Sequence, residues 1–311
     1  ILHNPSEGWW ASANEMNLPP DYPIDRLRVG FEWANPSRIN RIKAVLAANA
    51  HVSVADSMAL QTDPTSSEAC RLKALLANLT SDNADAALGL RLLQGWDCRE
   101  TIESGPAALY EIWAVRHLGP ALAARTVPAA ARPIVGDGWL DAVVNALEHP
   151  DASFGPTPAA LRDAVLLESL ASAVADTRQR LGPDPAAWRW GDLHQAHFVP
   201  AAARMADPAL AERMNVGPTP VRGSASTPAA ATWRPPNFNA VSGASVRMVF
   251  DVGAWDNSMA VNSPGQSGDP ESPHYRDLFP LWATGRYAPL LFSPAAVAAA
   301  SREVMELRPA Q

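Results

Sequence analysis

Apolar positions recur at helical spacing through the first part of the chain and at strand spacing only towards its end. Residues 1–37 carry neither period. Asn4-Pro5, Gly8, Pro19-Pro20 and Pro23 punctuate them, which predicts loop and short strand. From Arg38 to about Ala50, Ile39, Ile42, Val45 and Leu46 fall on one side of a helix. Thr65 and Glu68 have the spacing of a capping box, and Ala69, Leu72, Leu75, Leu76 and Leu79 form the stripe of the helix behind it. A third helix is expected over Ala107 to Leu118, stopped by Gly119-Pro120. The clearest helix runs from Pro158 to Leu181. Thr157 stands at its N-cap, Pro158 fits the first helical position and Gly182 follows its end.

The character then changes. Gly217 to Pro236 is rich in Pro, Ser, Thr and Ala and reads as an irregular loop or arm. Ser245 to Val252 alternates, with Val246, Met248, Phe250 and Val252 on one face and Arg247 and Asp251 on the other, as a strand does. Ser258 to Asn262 reads as a second strand, and a closing helix is expected from Pro294 to about Leu307. Helices first and strands later, without strict alternation, predict an α+β fold. The chain divides into a loop and strand segment (1–37), a mainly helical part (38–182) and a part with strands, loop arm and closing helix (183–311).

Composition narrows the function classes. With 311 residues and 47% hydrophobic content the chain can bury a sizeable core. A formal net charge of -7 argues against a nucleic-acid partner. No apolar stretch reaches the ~18 residues of a membrane span, and Pro289 and Pro294 break the nearest candidate. Residue 1 is isoleucine, which suggests a processed start or a piece of a longer chain. Cys70 and Cys98 match neither a disulfide scaffold nor a metal spacing, and Cys70 is expected to be a buried small hydrophobe.

Nucleotide-binding glycine loops and the common zinc motifs are absent from the sequence. His194 and His197 lie in a strand-like aromatic stretch without a carboxylate pair, so one buried and one exposed histidine is expected rather than a metal site. Pro264-Gly265-Gln266-Ser267-Gly268, with His274 behind it, lacks the glycine spacing of a nucleophile elbow and reads as a tight turn.

Two sets of residues carry a resemblance. Near the start stand Asn4-Pro5, Gly8-Trp9-Trp10-Ala11-Ser12-Ala13-Asn14 and Asp21-Tyr22-Pro23, with Trp33 five residues before Arg38. Near the end come Gly243 to Asp251, Trp255-Asp256, Asn262 to Pro270, Ser272-Pro273-His274-Tyr275, Asp277, Trp282, Gly285-Arg286-Tyr287 and Pro289-Leu290. In order and spacing these resemble the C-terminal part of the β-chain of the penicillin acylase family. Glu15, where the family usually has a second asparagine, is a departure.

The resemblance implies part of a four-layer αββα N-terminal nucleophile hydrolase sandwich and an amidase acting on small N-acyl amides, such as β-lactam antibiotics or acyl-homoserine lactones. It makes Asn14 a donor to the oxyanion and Arg38 the residue that supports Asn14. The plain alternatives are a turn residue and a solvated first-turn arginine, although an arginine there gains nothing from the helix dipole. The nucleophile, a serine at the first position of a β-chain, is not in this chain. The resemblance further implies a structural calcium with Asp25 as a ligand, an α-chain and an upstream β-chain segment as partners, and a periplasmic or secreted location. The rival reading is a non-catalytic structural or binding module that keeps the scaffold, which Glu15 favours. A serine hydrolase built on Ser267 and His274 is the third.

Overall fold

The computed structural model describes residues 3–19, 21–135 and 139–309. Helices come first: α1 (Ser37–Ala48), α2 (Val54–Gln61), α3 (Ser67–Leu76), α4 (Ala84–Gln94) and α5 (Gly105–Ile112). A π-helical turn, Trp113–Leu118, leads into α6 (Gly119–Thr126), α7 (Arg132–Val135), α8 (Leu140–Glu148), α9 (Pro158–Leu181) and α10 (Trp190–Leu193). There follow β1 (Gln195–Phe198), α11 (Pro208–Met214), β2 (Val216–Pro220), β3 (Ala231–Trp233), β4 (Ala240–Gly243), β5 (Val246–Val249), β6 (Met259–Asn262), α12 (Phe279–Ala283), β7 (Ala288–Pro289) and α13 (Pro294–Ala300). The fold is α+β, and the chain forms two compact units.

The first unit comprises Ile1–Ala50, Thr62–His197 and Gly217–Gly243. Its core is helical. Leu72 and Leu76 of α3, Leu90 and Leu93 of α4, Leu109 and Ile112 of α5, Val144 and Leu147 of α8, and Leu166, Leu170 and Val174 of α9 are all buried together. α4 lies close against α9: a Cβ on Gly89 would come within 2.6 Å of Leu170 Cγ. Within this core Trp113 Nε1 donates to Ser169 Oγ at 2.8 Å. Beside the helices lies a sheet of order β2–β1–β4–β3, with β1 parallel and β3 antiparallel to β4.

Several boundaries differ from expectation. The cap of α3 is Ser66, whose side chain accepts from the Ala69 N–H, so Thr65 and Glu68 form no capping box. Gly119-Pro120 does not stop the third helix. A proline removes one N–H and its ring crowds the carbonyl four residues back, here that of Arg116. The wider π-turn at Trp113–Leu118 takes up that crowding, and the helix continues to Thr126. α9 runs as expected, but its Thr157 side chain makes no capping bond. Gly217 to Pro236 is no free arm: it supplies β2 and β3, and Val221, Ser224, Thr227 and Ala229 within it are buried.

The second unit comprises His51–Gln61, Phe198–Val216 and Ala244–Gln311. Its sheet, β5–β6–β7, is antiparallel, with Val246 opposite Asn262 and Val249 opposite Met259. Phe198, Phe279 and Trp282 pack as an aromatic cluster, and Tyr275 Oη donates to the Met214 carbonyl at 2.6 Å. The alternation of β5 is present, but the covered side is the one with the charge. Arg247 lies over the Trp282 ring and donates to the Trp282 carbonyl at 2.9 Å, while Val246, Met248 and Phe250 are exposed. α13 ends at Ala300 rather than Leu307; the Ser301 hydroxyl bonds back to the Val297 carbonyl, an alternative to continuing the ladder.

Candidate active site

α1 positions the site. Asn35 Oδ1 accepts from the Ser37 N–H at 2.7 Å and starts the helix. Ser37 is fully buried, and its hydroxyl accepts from the Ser67 N–H at 3.2 Å, which ties α1 to the start of α3. Ile39 is buried beside it. The base of Arg38 is therefore fixed from both sides.

Asn14 sits in a left-handed bend at φ 67°, a conformation asparagine tolerates better than most residues. Its carbonyl accepts from the Ala34 N–H at 2.9 Å. Arg38 Nη2 donates to the Ala13 carbonyl at 2.7 Å and to Asn14 Oδ1 at 2.9 Å. A guanidinium has only donors, so the Asn14 atom that faces it must be the amide oxygen. The Asn14 NH2 is left pointing its donors elsewhere, and it makes no hydrogen bond among the described residues.

Glu15, the departure from the family pattern, turns inward. Its carboxylate accepts from the Ala13 N–H at 2.6 Å and is buried. Burial lowers the pKa of the Arg38 guanidinium and the nearby Glu15 charge raises it, so Glu15 offsets part of the cost of burying the arginine. Its residue type alone gave no signal of this role. A cleft of about 560 Å³ opens beside these groups, lined among others by Glu15, Trp33, Asn35, Ile39, Lys43 and Trp139.

The other candidates fare differently. Asp25 is exposed, and among the described residues no group of three or more His, Cys, Asp or Glu side chains gathers to hold a metal. His194 is buried, stacked on Trp190 with centroids 4.6 Å apart, and its Nδ1 is 2.6 Å from the Phe238 carbonyl. Burial pushes its pKa down to about 4. His197 is half-buried. The Ser267 hydroxyl accepts from the Asp269 N–H, while His274 Nδ1 pairs with Asp277 at 2.8 Å. No hydrogen bond joins Ser267 Oγ to the His274 ring among the described residues, and both the Gln266 and Ser267 N–H groups donate to the His274 carbonyl, as in a tight turn. Cys70 is exposed, not buried; it is Cys98 that is buried.

A buried carboxyl cluster escaped the sequence reading. Glu68, Glu100 and Glu111 are all buried, with Tyr110 beside them. Glu111 accepts from Trp233 Nε1 at 2.6 Å. Burial pushes all three carboxyls up, Glu111 to about 7, and the Glu111 charge raises Glu100 further. Ser37, next to Arg38, lowers the Glu68 carboxyl against the effect of burial. The one available signal was its place four residues before Leu72, on the apolar stripe of α3.

The α+β fold is that of the penicillin acylases. The thermostable penicillin G acylase from Alcaligenes faecalis superposes with a TM-score of 0.58, over 99% of this chain and 58% of that one, at 19% identity. The penicillin amidase family profile matches residues 1–299, and the chain belongs to that family. Acyl-homoserine lactone acylase QuiP of Pseudomonas aeruginosa is 29% identical over 94% of this chain and 39% of its own length. Penicillin acylase 2 proenzyme of Pseudomonas sp. strain SE83 is 32% identical over 99% of this chain and 39% of its own length. The chain thus spans about two fifths of the length of these relatives.

Proposed function

We propose that this chain is the C-terminal part of the β-chain of an amidase that cleaves N-acyl amides through an acyl-enzyme. The observation that carries this is the fixed Asn14 amide: Arg38 occupies its oxygen and leaves its N–H donors free. The nucleophile is a serine at the first position of the β-chain, outside these residues. Its hydroxyl attacks the amide carbonyl while its own α-amine, with a pKa near ~8, takes the proton. As the tetrahedral centre forms, the carbonyl oxygen becomes an oxyanion, and Asn14 Nδ2 donates to it without carrying a charge of its own. Arg38 acts through Asn14 as a positioning residue. Water then hydrolyses the acyl-enzyme.

The likeness to acyl-homoserine lactone acylases supports N-acyl-homoserine lactones as the first substrate class and β-lactam side-chain amides as the second. A role for Glu15 beside Arg38 removes the reason to read it as the mark of a non-catalytic module. An α-chain and the front of the β-chain would complete the acyl pocket, in a periplasmic or secreted enzyme. A structural calcium with Asp25 as one ligand would draw its remaining ligands from those parts. The test is incubation of the complete protein with N-acyl-homoserine lactones and penicillins, reading the released amine. Amine release with either class supports the proposal; no release across both classes from a folded, processed protein refutes it.

A further inference from the structure

Outside the site just described, the two cysteines meet. Cys70 lies at the end of the first turn of α3, and Cys98 follows α4. Backbone bonds bring the two segments together: Ser66 N–H donates to the Cys98 carbonyl at 3.0 Å and Glu100 N–H to the Pro64 carbonyl at 2.9 Å, with a bridge between Thr65 and Arg99. The Cys70 N–H donates in turn to the Ser66 carbonyl at 3.3 Å, so backbone bonds run from Cys70 through Ser66 to Cys98, and each thiol perturbs the other. Cys98 is held at φ 61°, an uncommon conformation for cysteine. One thiol faces solvent and the other is buried behind it.

We propose that Cys70 and Cys98 are a redox-active dithiol that closes to an intramolecular disulfide by exchange with a small-molecule disulfide. Cys70 is the attacking thiol because it is the exposed one. Its thiolate attacks one sulfur of, for example, glutathione disulfide, breaks that S–S bond and releases one glutathione thiolate. Cys98 then gives up its proton to solvent and attacks Cys70 Sγ, forming the protein disulfide and releasing the second glutathione. Two protein thiols are oxidised and one small disulfide is reduced to two thiols, so atoms and electrons balance.

The charges around Cys70 suit that order. The neighbouring Cys98 thiol lowers the Cys70 thiol to about 7 against the effect of burial; Lys73 and Arg41 lower it and Asp97 raises it. The neighbouring Cys70 thiol and burial both push Cys98 up, as befits a resolving thiol that reacts only within the pair. Lys73 is held in place by its bond to the Trp96 carbonyl at 2.6 Å. The bond would staple α3 to the segment that carries Glu100.

The test equilibrates the complete protein in glutathione buffers of graded redox ratio, traps free thiols by alkylation and maps the peptides. The proposal expects one cross-linked peptide pair, Cys70 with Cys98, rising as the buffer becomes more oxidising. Cys98→Ser should instead accumulate a glutathione adduct on Cys70, and Cys70→Ser should give neither product. In the reduced protein, the rate of Cys70 alkylation should rise with a midpoint near pH 7. Stable glutathione on Cys70 with Cys98 still reduced in the unmutated protein would overturn the proposal, as would two unmodified thiols at the most oxidising ratio.

Discussion

Arg38→Lys keeps a positive charge but loses the fork that reaches the Ala13 carbonyl and Asn14 Oδ1 together. The Asn14 amide can then rotate, and in the proposed mechanism its donors no longer wait where negative charge develops. We expect kcat to fall by roughly 10–100-fold with KM little changed, because the lost interaction is strongest in the transition state. Steady-state kinetics check this; a rise in KM alone would make Arg38 a substrate-binding group. The Asn14–Arg38 link was legible only through the resemblance, because nothing in the local spacing shows that residues in a loop and on a helix will touch. Glu15 was misleading for the same reason: a carboxylate in a loop looks solvated until the fold buries it beside an arginine.

At the scale of elements, α9 was legible because proline and glycine mark both of its ends and its apolar stripe is long. Its packing against α4 was not, since that depends on Gly89 meeting Leu170. Leu170→Ala should destabilise the helical unit by roughly 2–5 kcal/mol, and Gly89→Ala by roughly 1–3 kcal/mol through overpacking, both read from denaturant midpoints. The segment Gly217 to Pro236 misled for another reason. Its composition is that of a loop, and its strands exist because β1 and β4 offer them partners.

The buried carboxyls where α3, α5 and the Cys98–Glu100 segment meet make a pH prediction. Folded-state pKa values raised above the ordinary 4.5 mean that the folded chain holds protons which the unfolded chain has released. Their stabilising contribution is complete below pH 4.5 and is lost as pH rises through about 7, the value for Glu111. His194 works in the opposite direction: lowered to about 4, it gives stability above pH 6.5 that is lost on acidification. Thermal melts of the helical unit should therefore fall between pH 6.5 and 8, and Glu100→Gln should flatten that fall. A melting temperature that rises across this window would contradict the cluster's charge assignment.

For the whole molecule, the α+β class followed from the order of helices and strands. Which faces are covered could not be read from the sequence, because β5 alternates as a half-buried strand whichever side is covered. In the structure its apolar side is open: Val246, Met248 and Phe250 are exposed, and Phe250, Trp255 and Phe292 form a chain of rings. Faces of this kind belong against other structure. The chain expressed alone should bind a hydrophobic dye and self-associate, whereas a sharp melt of a dye-free monomer would show that it needs nothing more. Closing the Cys70–Cys98 loop, roughly 30 residues long, should stabilise the helical unit by about 3–4 kcal/mol in the chain-entropy view, which melts in oxidised and reduced glutathione would show.

The central claim is that Asn14 donates to the oxyanion of an amide-cleaving site. It is tested most directly by the single-turnover acylation rate of the complete protein with an N-acyl-homoserine lactone or penicillin substrate, comparing Asn14→Ala with the unmutated enzyme at matched folding. The account predicts a rate lower by roughly 10²–10³-fold. Acylation within a few-fold of the unmutated rate would contradict it, and would return Asn14 to the status of a bend residue held by an arginine.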